Sequence, residues 1–192
     1  MMVKRHGCIL ALCALIPLIQ ACVPLAVTGA GAAALMATDR RTGGVYIEDQ
    51  NVELKALGVL HPYATAHVNA TSYNLTVLLT GEVPDEALKK KIVDEVRAIA
   101  SVRNVIDETQ IAGVSSMASR GNDALVTSNV KARMLNNKVF NATQVKVVTE
   151  ASVVYLMGLV TRAEGDEAVF VTRNTSGVAR VVPLFEYIAA AT

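Results

Sequence analysis

The sequence predicts an α+β fold made of two tandem copies of one small module, and three observations predict it. An apolar, β-branched run ending at a glycine and resuming with a valine occurs as Val77-Leu78-Leu79-Thr80-Gly81-Glu82-Val83 and again, seventy-seven residues later, as Val154-Tyr155-Leu156-Met157-Gly158-Leu159-Val160. Each run follows another strand-like segment, residues 66–71 and 144–149, across a few turn-forming residues, which is the pattern of a hairpin. Each is followed by a charged, helix-like segment and a Val-x-x-Val pair, Val102/Val105 and Val178/Val181, that opens a last strand. Val68 to Gly81 aligns with Val145 to Gly158 without a gap, so the chain carries an internal duplication.

The order in each copy is helix, strand, strand, helix, strand. A lone three-stranded sheet cannot bury itself, so each module is expected to be a small mixed sheet covered on one face by two helices. The expected organisation is a signal segment over 1–21, a tether over 22–45, a first module over 46–112, a linker over 113–121 and a second module over 122–189. Modules of roughly 60 to 70 residues lie near the lower limit for independent folding. With 4% aromatic residues and no Trp, burial rests on Val, Leu, Ile and Ala, and packing two modules together adds stability.

Within the first module, Val52, Ala56, Val59 and Leu60 recur at helical spacing behind Glu48-Asp49, and His61-Pro62 stops that helix because a residue before proline disfavours the α region. After the hairpin, Pro84-Asp85-Glu86 places a proline and two carboxylates in the first turn of a second helix. Leu88, Ile92, Val96 and Ile99 form its apolar stripe, and Lys89-Lys90-Lys91, Asp94, Glu95 and Arg97 its outer face. Ala112 to Gly121 is small and polar, a link between modules. Asn122-Asp123 are good N-cap residues for a helix whose Val126, Val130 and Met134 line one face, with Lys131 and Arg133 off that stripe and Asn136-Asn137 as the stop. The last helix runs from about Ala163 to Thr175, weakened by Gly165 by about 1 kcal/mol. Pro183 argues for an edge position or a bulge in the closing strand. Gly81 and Gly158 are read as structural strand-to-helix turns, because the same glycine recurs at the same place in both copies.

Mean hydropathy is high at +0.38, and much of it comes from the first 38 residues. A basic Lys4-Arg5-His6, an apolar run from Gly7 to Ile19, and Ile19-Gln20-Ala21-Cys22 have a targeting layout. This resembles the bacterial lipoprotein signal, which implies cleavage before Cys22 and a diacylglycerol and an N-acyl chain on that residue. The alternative is an ordinary secretory signal with an incidental cysteine. Cys8 and Cys13 lie in the removed run, so Cys22 is left as the single cysteine and no intramolecular disulfide can form. Val23 carries no inner-membrane retention signal, so the resemblance implies the outer membrane, periplasmic face, as the address. Loss of Lys4 and Arg5 from 18 cations against 17 acids leaves a mature balance of −1, which attracts no partner by charge alone. Arg40 and Arg41, after the uncharged tether, read either as contacts to anionic headgroups at about 1 kcal/mol each or as solvated linker.

The glycine-valine strand ends, the Val-x-x-Val closures and Ala37-Thr38-Asp39-Arg40-Arg41 after an Ala/Gly tether resemble the outer-membrane lipoproteins that carry two tandem BON modules. That resemblance covers essentially the whole chain. It implies a non-enzymatic factor of envelope integrity, whose second module binds anionic phospholipid through its first helix and supports recruitment to division sites. The matching segment is Asp123 to Leu135, with Leu125, Val126, Lys131, Arg133 and Met134 as the candidate phospholipid-binding residues. The family's tryptophan in this helix falls at Leu125, and leucine lacks the interfacial preference of an indole.

Catalytic and metal signatures are missing from the sequence pattern. His61 and His67 are six apart on either side of Pro62, no G-x-S-x-G, phosphate-cradling loop or H-E-x-x-H occurs, and the Lys89-Lys90-Lys91 run is interleaved with acids as on a solvated helix face. No enzyme activity, metal, cofactor, small-molecule substrate or nucleic-acid partner is expected. The second reading is a protein-interaction module that holds an envelope partner through an exposed sheet face or the helix of the second module.

Overall fold

The computed structural model describes residues 39–190. The signal segment, Cys22 and the tether up to residue 38 lie outside the described residues.

The first module runs α1 (Gly43–Leu60), β1 (His67–Tyr73), β2 (Thr76–Val83), α2 (Glu86–Arg97), β3 (Asn104–Asp107) and β4 (Gln110–Ile111). The second runs α3 (Met117–Leu135), a 3₁₀ turn (Ala142–Gln144), β5 (Val145–Glu150), β6 (Val153–Val160), α4 (Arg162–Arg173) and β7 (Arg180–Tyr187). In each sheet a hairpin pairs antiparallel and the returning strand lies parallel beside its second strand, giving the orders β1-β2-β3 and β5-β6-β7. β4 continues the parallel edge of β2 beyond β3. Pro183 sits in β7, an edge strand, where its missing N–H interrupts no inner ladder.

Several boundaries differ from the sequence reading, each for a capping reason. α1 starts at Gly43, inside the expected tether, because the Thr42 side chain accepts the Val45 N–H at 3.3 Å. Asp85 caps α2, which leaves Pro84 before the cap rather than in the first turn. Ser116 caps α3, so the expected linker 113–121 is helical from Met117 onward and Asn122-Asp123 lie inside the helix. α4 opens with a capping box in which Thr161 and Glu164 satisfy each other's backbone N–H.

Strand alternation explains the layers. Val77, Leu79 and Val83 of β2 face α1 and α2 with Val52, Ile92 and Val96, and Val154, Leu156 and Val160 of β6 face α3 and α4 with Val126, Val130, Met134 and Ala168. The opposite faces, led by Tyr73, Leu78, Tyr155 and Met157, pack on each other. The near-continuous apolar runs of β2 and β6 thus belong to strands buried on both sides. The sheet faces expected to be exposed to a partner are buried against one another.

Both hairpin turns hold non-glycine residues at positive φ: Asn74, which tolerates it, and Leu75 at 50° and 64°, and Ala151 and Ser152, which have no such tolerance, at 49° and 61°. A buried aspartate from the first helix of the same module holds each turn. Asp49 accepts from Asn74 N (2.9 Å), Leu75 N (2.8 Å), Ser72 Oγ (2.6 Å) and Arg41 Nη1 (2.7 Å). Asp123 accepts from Ala151 N (3.0 Å) and Ser152 N (2.8 Å). Asp123 is therefore a turn clamp, not a helix cap. The two recurrent glycines are likewise not turns. Gly81 lies within β2 at φ 112°, where a Cβ would stand 1.9 Å from the His67 carbonyl oxygen; Gly158 lies within β6, where one would stand 2.7 Å from that of Gln144.

Arg40 and Arg41 are held by protein. Arg41 pairs with Asp39 and Asp49 and stacks on Tyr73 at 4.1 Å, while Arg40 crosses to the second module, donating to Glu164 Oε1 and Oε2 and to the Leu159 carbonyl at 2.9 Å. Other cross-module bonds join Lys146 to Glu53 and Arg103 to Glu186.

We expect Asp49→Ala to cost about 3–5 kcal/mol, since it takes the acceptor from two turn amides and the Ser72 hydroxyl and leaves the Arg41 guanidinium to Asp39 alone, and Asp123→Ala about 1–3 kcal/mol, since it strands two turn amides. Urea midpoints measure both, and wild-type midpoints would show that the turns hold themselves. The Arg40 hydrogen bond pulls the Glu164 carboxyl down to about 2 from 4.5. A depressed acid contributes stability that is present above its unfolded pKa and lost as pH falls through the folded value, so wild type should lose this contribution between about pH 4.5 and 2. Arg40→Gln should flatten that acid limb in a pH series of melts.

Candidate functional site

α3 is the element on which the sequence places the site, and its inner face fixes its outer one. Asp123, Val126, Val130 and Met134 are buried, so this side of the helix is committed to the hairpin turn and the core. Val126 at 2% exposure and Met134 at 1% are core residues, which removes both from any surface that a lipid could reach. Leu125, Lys131 and Arg133 are exposed, Leu125 to 66%.

At about 100° per residue, Gly121, Leu125, Ser128, Ala132 and Leu135 fall on the side of α3 opposite the buried stripe, with Lys131 and Arg133 flanking them. The only carboxylate of the helix is Asp123, which is turned inward. The outward surface therefore carries small residues, leucines and cations, and no acid. Lys131 and Arg133 make no side-chain hydrogen bond or ion pair among the described residues. Lys89, Lys90, Arg103 and Lys146 by contrast are each bound to a carboxylate. Arg133, in the last turn, also complements the negative end of the helix dipole.

Sequence reasoning missed Met117 and Leu135, which are 77% and 71% exposed at the two ends of the helix. Their signal is their position relative to Leu125 at helical spacing, readable only once the helix is known to begin at Ser116. The histidines are separated: His61 caps the C-terminal end of α1, and His67 lies in β1 opposite Glu82. In the Lys89-Lys90-Lys91 run, Lys89 bonds the Thr109 carbonyl at 2.7 Å and Lys91 lies over the Tyr63 ring at 5.3 Å.

The BON domain matches the chain twice, over residues 53–113 and 122–189. The chain is 33% identical over 174 residues to the outer membrane lipoprotein DolP of Haemophilus influenzae, covering 88% of this chain and 90% of that protein. It is 28% identical over 154 residues to the 21 kDa hemolysin of Actinobacillus pleuropneumoniae, covering 78% and 79% respectively. With the osmotically-inducible protein Y of Escherichia coli it shares 24% identity over 144 residues, 72% of each chain.

Truncation along α3 should separate its two faces. Met134→Ala is expected to cost about 2–5 kcal/mol through an unfilled core, whereas Leu125→Ala and Lys131→Ala should stay within about 0.5 kcal/mol of wild type in denaturant titrations. A stable Met134→Ala protein would contradict the assignment of the inner face.

Proposed function

The chain belongs to the BON-domain family, and from that premise we propose that it is a non-enzymatic lipoprotein of the outer membrane, on its periplasmic face, that contacts anionic phospholipid through α3. Its role is support of envelope integrity, including at division sites. The observation that carries the lipid contact is the outward surface of α3, with its unpaired Lys131 and Arg133 beside exposed Leu125 and no outward acid. Amphipathic helices bind the headgroup region by burying apolar area beside cations that meet anionic lipid. At about 1 kcal/mol per cation near such a surface, the two together contribute roughly thirtyfold in affinity. Acyl chains on Cys22 supply the permanent anchor, and the helix governs where and how the folded part rests on the bilayer.

A specific observation favours the second reading, an envelope protein partner. Ile47, Leu54 and Leu57 of α1 are 53%, 67% and 60% exposed along one side of that helix. That surface belongs to the first module, so a protein partner there is compatible with a lipid contact on the second.

Vesicle binding tests the proposal, using a fragment that starts at Ala37, because cutting at Gly44 would remove Arg41 from Asp49. Wild type should bind phosphatidylglycerol vesicles over neutral ones and release with salt. Lys131→Glu with Arg133→Glu should lose about tenfold or more, and Leu125→Trp should gain. Equal binding of wild type and the charge-reversed variant would eliminate the helix contact and leave the acyl anchor to act alone.

A further inference from the structure

The seam between the two sheets is apolar at one end of the first hairpin and polar at the other. Tyr73 and Leu78 lie at the turn end, in the buried cluster with Tyr155 and Met157. At the open end His67 and Glu82 are directly paired across β1 and β2, and His67 Nδ1 stands 3.2 Å from Glu82 Oε2. Glu150, the last residue of β5 in the other module, meets the same pair. One potential ligand atom from each of the three residues lies within 4.8 Å of the others.

Both carboxylates are 8% exposed. Their protein partners are neutral donors: Glu150 Oε2 accepts from Asn69 Nδ2 at 3.0 Å and Thr80 Oγ1 at 3.3 Å, and Glu82 Oε2 accepts from Ser115 N at 3.1 Å. Neither acid is paired with a lysine or arginine among the described residues, and neither Oε1 nor His67 Nε2 has a hydrogen bond there. Two buried carboxylates thus face each other with the His67 imidazole beside them, an arrangement whose negative charge a bound cation would neutralise. A cavity of about 310 Å³ opens on the His67 and Glu150 side of the cluster, with Asn69, Arg120 and Asp123 on its wall and Glu82 behind it, and leaves room there for waters. The Arg120 guanidinium on that wall is engaged with the Ser115 hydroxyl and carbonyl oxygens at 3.3 and 3.0 Å.

We propose that His67, Glu82 and Glu150 bind a divalent cation of the zinc class and so clip the first module to the second. One imidazole nitrogen and two carboxylate oxygens make a three-ligand set that leaves a fourth position for water from the cavity. The imidazole favours zinc-like ions over magnesium and calcium, which prefer all-oxygen shells. With metal–ligand distances of about 2.0–2.2 Å, the three atoms need only draw together by roughly 1 Å, which side-chain rotation supplies. The site is independent of the lipid contact, because no ligand comes from the outer face of α3.

The full-length protein, purified in detergent and stripped with EDTA, should bind about one equivalent of Zn²⁺ in calorimetry with a Kd of about 10 µM or tighter. Its melting temperature should rise with ZnCl₂ and not with MgCl₂ at the same concentration. Glu150→Gln keeps an acceptor for Asn69 and Thr80, and His67→Gln keeps a polar side chain; each should retain the wild-type circular dichroism and weaken Zn²⁺ binding by about tenfold or more. Absent Zn²⁺ binding, an equal response to Mg²⁺, or undiminished Zn²⁺ binding by both variants would overturn the proposal.

Discussion

A three-stranded sheet has two faces, and each module carries helices for only one of them. That constraint organises the molecule. The second face of each sheet is buried by the other module, through Tyr73 and Leu78 on one side and Tyr155 and Met157 on the other. A module of this size buries too little apolar surface to stand far above its conformational entropy, and sharing one seam between two of them improves that balance for both. The seam is reinforced at its rim by Arg40 with Glu164, Lys146 with Glu53 and Arg103 with Glu186. Because the sheets consume each other, the outer helix faces and the rim of the seam are left for contacts with anything else.

The second constraint is local and occurs twice. Asn74-Leu75 and Ala151-Ser152 hold positive φ without a glycine, a conformation that costs free energy unless the surroundings enforce it. Asp49 and Asp123 enforce it by accepting the turn N–H groups from inside the module. The two copies differ in what surrounds the acid. Asp49 is fully buried and holds Arg41, which ties the chain entering α1 to the hairpin, whereas Asp123 serves its turn without an arginine. The clamp also fixes the rotation of α3 on its sheet. Leu125, Lys131 and Arg133 point outward because Asp123, Val126, Val130 and Met134 cannot.

Each module therefore contributes something different. The second presents an outward helix face with exposed Leu125 and Leu135 flanked by cations, and the first an apolar stripe on α1 with Glu48 and Lys55 beside it. Where they meet, His67 and Glu82 from one hairpin reach Glu150 from the other. The proposed anchor on Cys22, the proposed lipid contact through α3 and the proposed cation at the seam draw on separate parts of the molecule, so each can be tested by substitutions that leave the others in place.

The sequence by itself determined the element order, the duplication, the hairpins and the amphipathic stripe Val126, Val130 and Met134, and narrowed Pro183 to an edge position or a bulge, because each of these follows from periodicity or from one residue's backbone chemistry. It did not reveal that Val126 and Met134 are closed to lipid while Leu125 is open, since a stripe says which residues share a face but not which face is covered. Asp123 looked like a cap because caps and turn clamps use the same short carboxylate. Arg40 and Arg41 looked like free charges because their partners, Glu164 and Asp49, lie on other elements. Glu150 joins His67 and Glu82 across the seam, a contact without a fixed spacing in the chain. Tertiary structure decided these points, for one physical reason: burial and pairing depend on what the second sheet and the first helices bring against a residue, and no local pattern encodes the neighbour.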